Sequence, residues 1–171
     1  MRKLLTLGLS SLATGPAFAA ELAVTIEVPQ LKVAEYHRPY VASWIETSDG
    51  GLVANLGVWY DTAQRDNGGN KWLKDMRLWW RRAGRALEMP VDGLSSPTRP
   101  PGKHDVDLTF AEPKIAGLAD GQYALVVEAA REVGGREVVR IPFQWPPQAE
   151  ESKTVSGAEE LGAITLRVQP K

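Results

Sequence analysis

The sequence predicts a mainly β fold: an immunoglobulin-like antiparallel β-sandwich of about seven strands with one inserted α-helix, as a single domain over residues 21–171. Three observations carry this expectation. Short runs of alternating apolar and polar residues recur along the chain, separated by Gly, Pro, Asn and Asp clusters. Leu118-Ala119-Asp120-Gly121-Gln122-Tyr123 has the Leu, Asp-Gly, x-Tyr order of a tyrosine corner. In such a corner the hydroxyl bonds back to upstream backbone and locks a crossover between sheets. Only residues 70–82 show the spacing of an amphipathic helix.

Residues 1–20 (MRKLLTLGLSSLATGPAFAA) read as an export signal rather than as part of the fold. Arg2 and Lys3 give a positive start and residues 4–12 a short apolar run. Ala17-Phe18-Ala19 fits the small-x-small pattern cut by signal peptidase, leaving Ala20 or Glu21 as the new first residue. The apolar run is too short to cross a bilayer, which takes ~20 residues. No cysteine is present for a lipid anchor, and Arg2 stands alone, so a twin-arginine signal is not supported. The expected address is the bacterial periplasm, reached by the Sec route as a soluble protein.

The strands follow in order. Residues 22–28 alternate and stop at Pro29. In residues 38–47, Tyr40, Ala42 and Trp44 would share one face, and Val41, Ser43 and Ile45 the other. Ser48-Asp49-Gly50-Gly51 is a turn, and residues 52–61 are the returning strand of a hairpin. Residues 61–70 carry oxygen ligands and glycines, but Ala63 and Arg65 break the calcium-loop spacing, so the segment reads as a flexible connection. In residues 70–82, Leu73, Met76 and Trp80 lie at helical spacing, with Asn70 as N-cap and Gly84 as stop. Residues 90–102 hold four prolines and two glycines and read as a loop. Residues 106–110, 122–131 and 136–145 read as strands, the last two joined by a two-residue turn at Gly134-Gly135. Val139, Ile141, Phe143 and Trp145 would share a face, and Pro142 points to an edge or a bulge. A polar linker over residues 146–158 leads to a final strand at 161–168.

Composition closes off several function classes. Without its signal the chain has 151 residues, 18 Lys+Arg and 21 Asp+Glu, a net charge of −3. A nucleic-acid partner would require a clear basic excess. The absence of cysteine excludes disulfides, thiolate metal sites, iron–sulfur clusters and attached haem. No apolar run in the mature chain is long enough to span a membrane. No G-x-S-x-G elbow is present, and Ser95 or Ser96 with His104 and Asp105 or Asp107 makes a poor triad, so the chain reads as a non-enzyme.

The candidate binding residues are few. Six tryptophans lie beyond the signal, and Trp79 and Trp80 are adjacent, which separates them by about 100° on a helix. One ring is therefore expected to face a partner, beside Arg77, Arg81 and Arg82. Arg99 in the proline-rich loop is expected to contact the same partner, so that the helix and the loop at 90–104 form one face. His37 is the candidate ligand for a metal ion or haem iron, with Glu35 or Tyr36 assisting and His104 as a second ligand if the fold brings it close.

The blocks AEYHRPYVASWIE, LGVWYDT, KWLKDMRLWWRRAGR, PVDGLSSPTRPPGKH and VVEAAREVGGREVVRIPFQWPP together resemble domain of unknown function family 2271, a family of bacterial periplasmic proteins. The resemblance runs from about residue 21 to the last strand. It implies an exported single domain and carries over no catalytic site. Members are often encoded near PepSY-type membrane proteins and a flavin transferase, which implies a setting in iron or electron-transfer metabolism. The expected function is thus an accessory or binding protein acting on a periplasmic or inner-membrane partner, beside membrane redox or iron-uptake proteins, with its cofactor, if any, unknown. The alternatives are a haem or metal carrier using His37 and a carbohydrate-binding module using an exposed Trp.

Overall fold

The computed structural model describes residues 20–170. The expected export signal lies, up to residue 19, outside the described residues. Among them no helix is long and apolar enough to cross a membrane.

Among the described residues nine strands form two sheets. β1 (Ala20–Val28) pairs with both β5 (Gly102–Asp105) and β9 (Ala163–Pro170), and β8 (Glu151–Ser156) adds to β9, giving the order β5-β1-β9-β8. The second sheet has the order β4-β3-β2-β6-β7. Its members are β2 (Tyr40–Thr47), β3 (Leu52–Tyr60), β4 (Ser95–Pro97), β6 (Gly121–Ala130) and β7 (Arg136–Trp145). Every pairing is antiparallel except β3 with β4.

The apolar residues sort into two clusters, which explains why β2 is buried without a break from Val41 to Glu46. Val41 and Ile45 join Val24, Ile26, Ile164 and Leu166 of the other sheet in the sandwich core. Ala42 and Trp44 point the opposite way and join Leu73, Met76 and Trp79 of a helical cover over the outer face of the second sheet. The faces are those the alternation predicts. Val139, Ile141, Phe143 and Trp145 all enter the sandwich core, and Pro142 lies on β7, an edge strand. The tyrosine-corner bond forms: Tyr123 Oη donates to the Ala119 carbonyl at 3.0 Å.

Several expectations need correction. The helix over 70–82 is instead 3₁₀ turns over Arg65–Asp75, an α-helix α1 over Arg77–Arg82, and one more 3₁₀ turn at Gly84–Ala86. Leu73, Met76 and Trp79 are all buried, the chain breaking at Met76 (ψ 72°) so that Leu73 on the 3₁₀ turns and Trp79 on α1 both face the sheet. Asn70 does not cap this segment; its side chain donates to the Met89 carbonyl at 2.9 Å. Gly84 borders both indoles of the Trp pair, where an added Cβ would lie 2.5 Å from Trp79 and 2.7 Å from Trp80.

Residues 106–110 are not a strand. Asp107 accepts from the Thr109 amide and hydroxyl and turns the chain into a short helix α2 (Glu112–Ala116), while the ladder to β1 is made earlier, by β5. The β6–β7 turn spans residues 131–135 rather than two glycines, and its positive-φ residue is Val133, at 54°. The linker at 146–158 contains β8, whose polar residues suit an edge strand with an exposed face. The proline-rich loop likewise supplies β4 and β5, so the strand count is nine rather than about seven.

Candidate functional site

The helical cover is held down by a carboxylate from the sheet beneath it. Glu128 on β6 is fully buried. Its two oxygens accept the amides of Leu78 at 3.0 Å and Trp79 at 2.6 Å, the second and third residues of α1. These amides have no intrahelical acceptor, so the carboxylate serves as the cap that no local side chain provides. Arg136 Nε donates to the same carboxylate at 2.6 Å. Trp79 points inward and donates its indole N–H to Asn55 at 3.0 Å. Glu46, also buried, takes the Trp44 indole N–H and Arg140 Nε. At the far end of the cover, an Arg82 guanidinium N–H donates to the Gly50 carbonyl in the β2–β3 turn.

Fixing the cover in this way exposes a cationic surface. Lys74, Arg77, Trp80, Arg81 and Arg136 line an open depression of about 470 Å³. Lys74, Arg77 and Arg81 are exposed, and no hydrogen bond or ion pair among the described residues engages their charged groups. Trp80 is half-buried among them and tilts against Trp79 with ring centroids 6.4 Å apart. Arg77 and Arg136 also border a neighbouring depression formed with Arg131, Gly134, Gly135 and the exposed carboxylate of Asp75. The two depressions therefore make one surface that ends at the β6–β7 turn. The tip of that turn is Val133, 81% exposed.

The charge is local. Residues 65–85 carry seven Lys and Arg against two Asp, leaving 11 basic and 19 acidic residues for the rest of the chain after residue 20.

A second glutamate fixes the other end of this surface. Glu160 holds Arg131 through two hydrogen bonds, 2.8 and 3.0 Å, and accepts the Gly135 amide at 2.8 Å. The turn that follows β8 is itself gathered by Glu137, whose carboxylate accepts the amides of Ala158, Glu159, Glu160 and Leu161. Partial burial opposes the charged form of Glu137, but these four donors outweigh it and hold the carboxyl below its ordinary range. A depressed folded-state value means that this stabilisation is complete above the unfolded glutamate range, about 4.3, and is lost as pH falls through the folded value. Glu137→Gln is therefore expected to be less stable than the parent at pH 7 and to lose less on acidification. Urea midpoints at neutral pH and at about pH 3 check this, and parallel losses in the two proteins would remove Glu137 from the account.

The expected binding residues do not converge. Trp79 is fully buried, its indole N–H turned inward to Asn55, and the adjacent Trp80 is left half-buried at the surface. Trp80 lies in the cationic depression. Arg99 lies elsewhere, its guanidinium 5.4 Å from the Trp59 ring centroid and its Nε buried without a partner. It lines a different, smaller depression with Trp59, Ser95 and Asp107, so the helix and the 90–104 loop are not one face.

His37 borders a cavity of about 160 Å³ with Tyr40, Asp61, Trp72 and Glu132. Its Nε2 is 3.0 Å from Glu35 and its Nδ1 3.8 Å from Glu132. His104 is not at that cavity; its ring meets the edge of Trp59 at 6.0 Å and its Nε2 bonds the Pro100 carbonyl. Among the described residues no three His, Asp or Glu side chains are grouped to hold a metal ion. No Trp is among the exposed large apolar residues, and half-buried Trp72 lies under the Lys71 ammonium at 4.8 Å.

Lys74 and Arg136 were not legible as site residues. Lys74 lies on the 3₁₀ turns and reaches the depression because the chain bends at Met76 before α1. Nothing local in the sequence places Arg136, which arrives through β7.

The family model described as predicted periplasmic protein (DUF2271) matches residues 21–163, and the chain belongs to that family. Its place is accordingly the periplasm, the address expected from residues 1–20. No curated protein and no solved structure matches.

Proposed function

We propose that this DUF2271 protein is an exported, non-catalytic accessory protein, and that its working surface is the cationic depression around Trp80. The observation that carries this reading is the set of three unpaired cations, Lys74, Arg77 and Arg81, around a half-buried indole. Unpaired guanidinium groups beside an accessible Trp are the residue types that dominate protein-binding energetics. The surface is also held in place before any partner arrives, because Glu128 caps α1 from the sheet below. A preformed surface spends little binding energy on ordering. The partner in this reading is a periplasmic or inner-membrane protein, in the redox or iron-uptake setting that the family resemblance implies. The tyrosine corner at Tyr123 supports an immunoglobulin-like description of the carrier domain.

Site-specific photocrosslinking in the native host tests the reading. A photoreactive residue in place of Arg81 is expected to capture one defined envelope protein. The same residue in place of exposed Lys103, on the other sheet, is expected to capture none. Equal capture at both positions, or none at position 81, would overturn the assignment.

A further inference from the structure

We infer that the Trp80 depression takes an acidic peptide segment of the partner protein, an inference that rests on the accessory-protein reading for the choice of face. Charge complementarity is the first argument. Four cations and no carboxylate line the depression, on a chain whose remaining surface is predominantly acidic. Only a ligand whose negative charge meets this patch alone gains attraction without meeting repulsion from the rest of the molecule.

The second argument is shape and donor type. Arg77 and Arg81 present planar guanidinium forks, which match carboxylates with two parallel hydrogen bonds. They stand one turn apart on α1, on the same helix face, with Trp80 and Lys74 lining the same depression. A peptide carrying acidic residues beside an apolar one meets both features of the depression, its carboxylates on the cations and its apolar side chain on Trp80. The indole also lies within a depression and does not protrude, as a side chain inserted into a lipid surface would.

The third argument is the turn at 131–135. Val133 holds φ at 54° and is 81% exposed. A β-branched residue in that region is strained, and an apolar side chain so exposed is held there against both steric and solvation preference. The Arg131–Glu160 and Gly135–Glu160 bonds anchor the turn on both sides of Val133. Val133 thereby stands at the tip of the turn whose Arg131, Gly134 and Gly135 border the adjoining depression, as an apolar contact for the peptide beyond its acidic stretch.

The probe is a dye-labelled peptide of about ten residues with two Glu for each Leu, followed by anisotropy and by quenching of Trp emission. Binding is expected, falling steeply as salt rises from about 0.05 to about 0.3 M. The double variant Arg77→Glu/Arg81→Glu is expected to weaken it by about tenfold or more. Arg65→Glu/Arg85→Glu makes the same charge change at exposed positions of the cover outside the depression. It is expected to stay within about threefold of the parent. Circular dichroism and melting of both variants show whether the fold is intact. Equal weakening in the two double variants would overturn the inference, as would binding only of phosphatidylglycerol vesicles or inorganic phosphate, or no binding at all. Capture of a partner at position 81 through a segment without acidic residues would sink the peptide inference and leave the accessory reading standing.

Discussion

Trp79→Ala is expected to destabilise the domain by about 3–5 kcal/mol. For a chain of this size that lowers the melting temperature by roughly 6–20 °C. The indole is fully buried in the cluster that joins the cover to the sheet, together with Trp44, Leu73 and Met76. Truncation removes its packing, opens a cavity under α1, and leaves the Asn55 carbonyl oxygen without its N–H donor. Gly84 cannot compensate, since it offers no side chain to collapse into the space. Trp80→Ala is the contrasting variant and is expected to melt within about 4 °C of the parent, because its ring is only half-buried. The pair separates core from contact surface: if Trp79→Ala melts like the parent, the inward assignment of that ring is wrong.

Glu128→Ala is expected to cost a similar amount, about 3–5 kcal/mol, for a different reason. Its removal strands the amides of Leu78 and Trp79 beneath the cover and deprives Arg136 of its carboxylate. Glu128→Gln is expected to lose less, about 1–3 kcal/mol, because one oxygen remains to accept while the charge is gone. Chemical denaturation gives the two values, and amide exchange locates them: Leu78 and Trp79 should lose protection before the sandwich core does. Uniform loss across both clusters would mean that Glu128 supports the whole fold rather than the cover.

The two faces of β2 were legible because period two in a strand does not depend on what covers each face. Tyr123 was legible because a corner is a local device whose partner is four residues away. The helical segment misled because Leu73, Met76 and Trp80 satisfy a 3.6-residue period, whereas the chain breaks at Met76 and buries Trp79 instead. Deciding between the two rings takes Glu128, 49 residues beyond Trp79. The Gly134-Gly135 turn misled for the same reason. Glu160, 25 residues beyond Gly135, fixes that backbone, and the strain falls on Val133 instead. The cationic depression was half legible: Arg77, Arg81 and Trp80 are close in sequence, while Arg136 reaches them only through sheet pairing and the Glu128 bridge. Arg99 failed as a member because Trp59, on the strand beside its loop, captures its guanidinium.

The order of the sheets has one more consequence, for what the molecule does in a crowd of its own copies. A two-sheet fold that does not close into a barrel has four rims, each a row of backbone groups that could template another chain. Here every rim is blunted. β4 is three residues long and ends in Pro97, β5 is four residues long and carries Lys103 and Asp105, and β7 carries Pro142, which has no N–H to offer a further strand. β8 alternates Glu151 and Lys153, and the Lys153 ammonium bonds the Pro142 carbonyl at 2.8 Å, so two rims occupy each other. A chain with no disulfide to lock it thus meets its neighbours without an open strand to recruit them, and is protected from runaway cross-strand aggregation by geometry already present in the monomer.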